Sequence, residues 1–156
     1  TIWPDDFSTI RADVEIPFGS EKQVGRNAFM LPNRGLIALK SPSLKGTIET
    51  LPLIESVGTS DGWKTWSEEC GGDPAPEVFV DTYGAALTFA ASGAGIALVT
   101  EVLAPHALET GQLERVHDAI APCSEGYFLR TNEANAMAGL FGSWLVSKIN
   151  ETGSRL

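Results

Sequence analysis

The chain has 156 residues, of which 43% are hydrophobic and 20% are charged, so it can form one good core or two small lobes. Its net charge of −9 opposes binding to the phosphates of nucleic acid. No run of residues approaches the roughly 18 apolar positions of a membrane span, and no secretory signal is visible. We therefore expect a cytoplasmic protein segment without nucleic-acid or membrane contacts.

The first part of the chain predicts short strands separated by turns. Val14–Phe18 alternates in part like a strand, and Pro17 places it at an edge or strand end because proline has no N–H to donate. Glu21–Leu31 reads as an exposed connection. Gly35–Lys40 is an apolar strand, and Leu51–Ile54 is a brief apolar segment that leads into the next loop.

That loop, Glu55–Gly62, is small and polar with two glycines, a composition typical of ligand-binding turns. The segment that follows it predicts an amphipathic helix over Trp63–Cys70, which ends at a pair of glycines. Trp63, Trp66 and Cys70 share one helical face. A core-facing role for this face is favoured over a binding platform.

The stretch from Val78 to Thr100 predicts a strand, a short helix and a second strand, which together form a βαβ unit. Val78–Val80 reads as a buried strand, and Asp81 or Thr82 can cap the helix that follows. The helix is predicted to end at Gly93. Ligands gather at the carboxyl ends of parallel strands near helix N-termini, so the turn at Asp81–Tyr83 is where a ligand is expected.

The remaining chain predicts a helix within Glu101–Gly111, strands at Leu113–Val116 and Gly126–Arg130, and a closing helix over Asn132–Asn150. This order of elements places the fold in the α/β class. The closing helix carries an apolar stripe that we expect to face the core. The stripe consists of Met137, Leu140, Phe141, Trp144, Leu145 and Ile149.

No motif for catalysis, phosphate binding or metal binding is present. The two cysteines, Cys70 and Cys123, form no CxxC pair, and His106 and His117 are not near them in the sequence. Two free thiols in a reducing compartment is the favoured interpretation, although the residues also leave a disulfide open. We expect no catalytic residue, no metal and no cofactor, and so no enzymatic activity.

Four stretches, in this order and spacing, resemble the effector-binding domain of bacterial LysR-type transcriptional regulators, and they span nearly the whole chain. They are DFSTIRADVEIPFG at 6–19, LIALKSPSL at 36–44, LPLIES with WKTW at 51–66, and the run from Phe79 to Leu113. YFL at 127–129 and FGSWL at 141–145 complete the likeness. The helix-turn-helix and linker helix of that family are absent from this sequence.

The resemblance implies a two-lobed fold similar to type 2 periplasmic binding proteins. Lobe I is then residues 1–40 with 120–156, and lobe II is residues 41–119. The crossing strands are Leu36–Lys40 and the stretch near Ala119–Pro122. The family's first strand and helix of lobe I have no counterpart here, so lobe I is expected to be incomplete at its N-terminus.

The function implied by the resemblance is the sensing of a small-molecule effector, such as an organic acid or an amino-acid-like metabolite, in a cleft between the lobes. The full-length regulator is then a homodimer or higher oligomer. Hydroxyl and backbone N–H groups would hold the ligand, although caps or turn bonds are the alternative role of Ser20, Thr59 and Thr82. The expected wall residues are Thr1, Phe18, Gly19, Ser20, Ser56, Val57, Gly58, Thr59, Val80, Asp81 and Thr82.

Three other functions stay open at this point. The first is a solute-binding protein of a transport system, which shares the two-lobe fold. The second is an enzyme, for which the residue inventory gives little support. The third is a folded fragment that binds nothing, because fold alone does not specify a ligand.

Overall fold

The computed structural model describes residues 12–25, 27–60 and 62–153, with side chains to residue 151. It divides into two compact units. Unit 1 comprises Thr1–Pro32 with Glu125–Leu156, and unit 2 comprises Asn33–Ser124. The lobe boundaries drawn from the sequence, near residues 40 and 120, stay an assignment by resemblance.

The described elements are nine strands and five α-helices. The strands are β1 (Val14–Glu15), β2 (Phe18–Gly19), β3 (Phe29–Met30), β4 (Leu36–Lys40), β5 (Leu53–Ser56), β6 (Val78–Val80), β7 (Ile96–Thr100), β8 (Glu114–Arg115) and β9 (Gly126–Thr131). The helices are α1 (Glu21–Val24), α2 (Trp63–Cys70), α3 (Tyr83–Ala91), α4 (Pro105–Glu109) and α5 (Ala136–Gly153). A 3-10 turn at Glu101–Leu103 precedes α4. None of the described helices is both long and apolar enough to span a bilayer.

Unit 2 is built on a five-stranded mixed sheet in the order β6-β5-β7-β4-β8. The first three strands are parallel, whereas β4 is antiparallel to both β7 and β8. The predicted βαβ unit is confirmed, with the refinement that β5 lies between its two strands. All five residues of β4 and all five of β7 are buried, as expected for central strands covered on both faces.

Helix α2 confirms its sequence-based prediction, because it runs over Trp63–Cys70 and buries both tryptophans. The indole N–H of Trp63 donates to the carbonyl of Ile54 over 3.0 Å, so a polar atom taken into the core keeps a partner. The rings of Trp63 and Trp66 meet edge to face at 6.0 Å. The predicted stripe is therefore core at both of its tryptophans, while Cys70 is only half-buried.

The prediction that Val78–Val80 forms a strand is confirmed, but the prediction that this strand is buried was wrong. This strand forms β6 at the edge of the sheet, where Phe79 is 62% exposed. A short apolar run has the same composition at an edge as in the centre of a sheet. Only the strand order, which places β5 on the inner side of β6, determines its exposure.

Unit 1 contains a small sheet built around β9. The strands β1 and β2 pair with β9 in one continuous register, from Val14 opposite Thr131 to Gly19 opposite Gly126. They are one strand interrupted at Pro17, whose carbonyl still accepts from the N–H of Phe128. β3 pairs with β9 in a different register.

The prediction that the closing helix buries its large apolar stripe was also wrong. Of that stripe, four residues are exposed, namely Met137, Leu140, Phe141 and Trp144. The helix instead packs on β9 through small residues, with Ala138 buried and Gly142 close to the side chains of Leu129 and Thr131. Small residues face the sheet because they allow the helix backbone to approach it closely.

Candidate functional site

The turns that follow β5 and β6 lie side by side at one edge of the unit 2 sheet. Ser56 ends β5 and is paired with Val80, which ends the parallel strand β6. The N–H of Val57 donates to the carbonyl of Val80 over 2.9 Å. A side chain at Gly58 would lie 3.3 Å from the carbonyl oxygen of Asp81, so this glycine permits the close approach of the two turns. The predicted residues brought together here are Ser56, Val57, Gly58, Thr59, Val80, Asp81 and Thr82.

The hydroxyl of Ser56 is buried at this edge and has no hydrogen-bond partner among the residues that the structure describes. Ser56 is only 2% exposed, and no group in the described part of the chain bonds to its Oγ. A buried hydroxyl that lacks a partner costs about 1–3 kcal/mol, so it requires an explanation. Within the described residues, the hydroxyl is therefore available to bond to a molecule from outside the chain.

The Ser56 side chain points to the face of the sheet that α3 covers. Side chains alternate along a strand, so Ser56 shares a face with Ile54, whereas Glu55 points to the opposite face and reaches the start of α2. The chain moves outward from β5 to β6 and then back across β5 to β7. Helix α2 connects β5 to β6 and helix α3 connects β6 to β7, so the two connections run in opposite directions across the sheet. Because such connections between parallel strands are right-handed, α2 and α3 lie on opposite faces of the sheet. The Ser56 hydroxyl thus lies one strand away from the first turn of α3.

Helix α3 presents its N-terminus at the same edge. Thr82 is its N-cap, and the Thr82 hydroxyl accepts a hydrogen bond from the N–H of Ala85 over 3.1 Å, which confirms the predicted cap. The hydroxyl of Thr59 donates to the carbonyl of Ser56 over 2.9 Å. Both threonines therefore make the local bonds that were the alternative to ligand contact. The aligned peptide dipoles of α3 still favour negative charge at this position.

The N-terminus of α2 is occupied by a carboxylate of the chain itself, a contact that sequence reasoning missed. The Glu55 carboxylate accepts from the N–H of Trp63 over 3.2 Å. A side chain at Gly62 would collide with this carboxylate, so the glycine makes room for it. Burial raises the pKa of Glu55, although the bond from Trp63 partly opposes the rise. This helix start shows that the edge of the sheet accommodates a carboxylate on one face.

The predicted residues of unit 1 are engaged in local contacts. The Phe18 ring packs edge to face on Tyr127 at 5.1 Å, and Gly19 pairs with Gly126 in the sheet. The N–H and the hydroxyl of Ser20 both donate to the side-chain oxygen of Gln23, over 2.8 and 2.9 Å. Ser20 thus makes local bonds at the start of α1, which is the alternative to ligand contact. Thr1 lies outside the described residues.

Two further concavities of unit 2 contain none of the predicted residues. One of about 510 Å³ lies between α3 and α4 beside His106. Another of about 320 Å³ is lined by Trp66, Cys70 and His117. Burial, and then the charge of Glu69, raise the pKa of the Cys70 thiol, which disfavours the reactive thiolate. No cluster of His, Cys, Asp and Glu suited to a metal occurs among the residues described by the structure.

Comparison with known proteins gives matches among solved structures alone. No family model matches the sequence, and no curated protein does. The effector domain of the transcriptional regulator AmpR of Pseudomonas aeruginosa is 22% identical, with a TM-score of 0.74 over 92% of this chain and 75% of that chain. The AmpR effector-binding domain of Citrobacter freundii is 20% identical, with a TM-score of 0.72 over 97% and 80%.

A full-length regulator is also among the similar structures. HypT of Salmonella typhimurium, a hypochlorite-specific LysR-type transcriptional regulator, is 17% identical, with a TM-score of 0.60. The match covers 92% of this chain but only 54% of that chain. The fold of this protein is therefore the α/β, two-sheet fold of LysR-type effector-binding domains, which is similar to that of type 2 periplasmic binding proteins.

Proposed function

We propose that this chain is the ligand-sensing module of a LysR-type transcriptional regulator and that it binds a small-molecule effector at the carboxyl edge of β5 and β6. The observation that carries the proposal is the buried Ser56 hydroxyl, which has no hydrogen-bond partner among the described residues and ends β5, the strand next to the one that leads into α3. The similar structures support the regulatory part of the proposal, since they are effector or regulatory domains and not enzymes.

The chemistry of this edge favours an effector with an anionic group, such as a carboxylate. The positive end of the α3 dipole attracts negative charge, and the Ser56 hydroxyl can donate to a carboxylate oxygen. Val57, which is exposed at the same edge, offers an apolar contact for the rest of the molecule. The regulatory domain of HypT has been solved with a bromide ion bound, so one protein of this fold accepts an anion.

Each predicted residue has a distinct part in this proposal. Ser56 supplies a hydroxyl, whereas Asp81 and Thr82 lead the chain into the helix start that attracts the anion. Val57, Gly58, Thr59 and Val80 shape the wall. Phe18, Gly19 and Ser20 belong to the other unit, and their part in effector binding stays a prediction, as does that of Thr1.

The partners and location follow from the regulatory role. The net charge of −9 makes this segment unsuitable for contact with nucleic acid. In the full-length protein, that contact would therefore be made by a separate DNA-binding part. We propose a bacterial, cytoplasmic protein that acts as a homodimer or higher oligomer. Solute transport is the alternative function, but the three structures compared above are regulators.

A thermal-shift screen tests the proposal directly. The 156-residue chain is heated with members of a panel of organic acids, amino acids and uncharged analogues of the same size. A true effector at about 100 times its Kd adds about 2.7 kcal/mol of stability, which corresponds to a rise in Tm of roughly 5–10 °C. The shift should be reduced in Ser56→Ala and retained in Ser67→Ala, whose hydroxyl bonds only to Lys64 within α2.

Two results would contradict the proposal. If acids and their uncharged analogues raise the Tm equally, α3 does not act as an anion-binding site. A shift that survives Ser56→Ala unchanged would place the ligand elsewhere in the chain. The coding sequence upstream of Thr1 gives a separate test, since a helix-turn-helix there identifies a regulator and a signal peptide identifies a transport protein.

A further inference from the structure

A cavity of about 320 Å³ opens at the edge of the unit 2 sheet opposite the Ser56 and Asp81 turns. It lies at the amino end of β5, which begins at Leu53 and ends at Ser56. The N–H of Glu77 donates to the carbonyl of Leu53 over 3.0 Å, so the loop that leads into β6 forms one wall, and the end of α2 forms another. A cavity of this size lies at the lower end for ligand sites and suits a small molecule.

The most buried wall of the cavity contains a polar group without a partner. Leu53 and Trp66 both line the cavity and are only 2% exposed. Whereas the indole N–H of Trp63 bonds to the carbonyl of Ile54, that of Trp66 has no acceptor among the described residues. The Trp66 nitrogen is also not among the described polar atoms that are sealed from solvent, so it faces the open space of the cavity. A donor in this position requires an acceptor from outside the chain.

The rim of the cavity is negatively charged. The carboxylates of Glu49, Asp73 and Glu77 lie there, and the described lining residues include no lysine or arginine. None of these carboxylates forms an ion pair with a described residue. The hydroxyl of Thr47 donates to Glu49 and lowers the pKa of its carboxyl, so this group stays ionised at neutral pH. The negative end of the α2 dipole adds to the same field, and the cavity therefore favours a cation.

The distribution of these charges favours an organic cation over a metal ion. In the described ranges, no three His, Cys, Asp or Glu side chains come close enough together to hold a metal. His117 also lines the cavity, and its Nδ1 accepts a hydrogen bond from the N–H of Ala119 over 3.0 Å, a bond that a positively charged ring cannot make. Separated carboxylates above an apolar wall match a molecule whose positive charge is carried on a carbon skeleton.

We propose that this cavity binds a small organic cation that also carries a hydrogen-bond acceptor, such as an amino alcohol. Its charge faces the carboxylates of the rim, its oxygen accepts from the indole N–H of Trp66, and its carbon atoms cover Leu51 and Leu53. This site is separate from the proposed effector site, since it lies at the opposite end of β5 and prefers the opposite charge. The carboxylates are exposed and screened by salt, which predicts a Kd of about 0.1–1 mM.

An NMR titration of the 156-residue chain with choline tests this inference. Choline has a quaternary ammonium group and a hydroxyl, and its uncharged isostere, in which carbon replaces the nitrogen, is the matched control ligand. We expect choline to shift the indole N–H resonance of Trp66 and the isostere to bind at least about tenfold more weakly. Tetramethylammonium keeps the charge but lacks the hydroxyl, so it should bind about threefold or more weakly than choline.

Substitutions at the rim test the location of the site. Asp73→Asn and Glu77→Gln should each raise the Kd for choline by about threefold, and the double variant by about tenfold. Glu68→Gln removes the same charge from an exposed position of α2 outside the cavity and should leave the Kd unchanged. Ser56→Ala should also leave it unchanged, because Ser56 belongs to the other edge of the sheet. Circular dichroism checks that each variant retains the fold.

Several results would overturn the proposal. The cavity is not a cation site if about 10 mM choline causes no shift at Trp66, or if choline and its isostere bind equally well. The same conclusion follows if the double variant at Asp73 and Glu77 binds choline as well as the parent chain does. Equal binding of tetramethylammonium and choline would show that the indole N–H of Trp66 takes no part.

Discussion

Removing the buried hydroxyl of Ser56 should stabilise the unliganded chain. Ser56 is almost fully buried, and its Oγ has no hydrogen-bond partner among the described residues. The substitution Ser56→Ala removes the cost of burying an unpartnered hydroxyl, which is about 1–3 kcal/mol. The small void left by the missing oxygen atom destabilises the fold and offsets part of this gain. We expect a net gain of about 1 kcal/mol in the free energy of unfolding, or a rise in Tm of about 2–4 °C.

The same substitution should weaken effector binding, because the hydroxyl then no longer donates to the ligand. The loss of one hydrogen bond to a charged group corresponds to about a tenfold or larger increase in Kd. A functional residue that lowers stability while it provides affinity is a common arrangement at binding sites. The opposite signs of the two effects distinguish this role from a structural one.

Urea unfolding followed by tryptophan fluorescence measures the stability effect, since Trp63 and Trp66 are buried in the same unit. Ser67→Ala is the matched control, because its hydroxyl lies on an exposed helix surface, and we expect a change within about 0.5 kcal/mol. A clear loss of stability in Ser56→Ala would refute the reasoning. It would mean that the hydroxyl has a hydrogen-bond partner within the folded chain.

Three further substitutions test other contacts of unit 2. Gly95→Ala should cost more than about 3 kcal/mol or prevent folding, because Gly95 has φ of +158° and a side chain there would collide with the carbonyl of Pro52; thermal unfolding measures the loss. Trp63→Phe should cost about 1–3 kcal/mol in urea unfolding, because it removes the indole N–H bond to the carbonyl of Ile54 and leaves a void beside the ring of Trp66. Burial raises the pKa of Glu55, so its carboxyl contributes stability that is fully present below about pH 4.5 and is lost as the pH rises through the folded-state pKa. Glu55→Gln does not titrate, so its stability relative to the parent chain should increase from pH 4 to pH 7.

Each of these predictions has a result that would contradict it. Gly84→Ala is the control for the glycine, since nothing lies within 4 Å of a side chain at that helical position, and it should be neutral or slightly stabilising. Unchanged stability of Trp63→Phe would show that the indole N–H bond contributes nothing. A relative stability of Glu55→Gln that falls with rising pH would mean that the α2 dipole outweighs the burial of the carboxylate.

Much of the local structure was readable from residue type and spacing. The strand at Leu36–Lys40, the helix that starts after Thr82 and the tryptophan helix of unit 2 all lie where the sequence predicted them. These elements depend on contacts between residues that are near one another in the chain, such as the bond from Ala85 to the Thr82 hydroxyl. The grouping of the Ser56 and Asp81 turns was expected only from the family resemblance, and the structure explains it by the parallel strands that end at the same edge.

The sequence by itself thus determined most of the longer strands and helices and the cap of α3, but it missed α1 and β3 within the segment Glu21–Leu31 that it predicted to be a connection. The tertiary structure alone decided that β6 is an edge strand, that the Ser56 hydroxyl is buried without a partner in the described part of the chain, and that Glu55 occupies the start of α2. It also turned the large apolar residues of α5 away from β9, in favour of Ala138 and Gly142. The physical reason is that caps and periodicity act within a few residues, whereas burial depends on which distant strand or helix packs against each face.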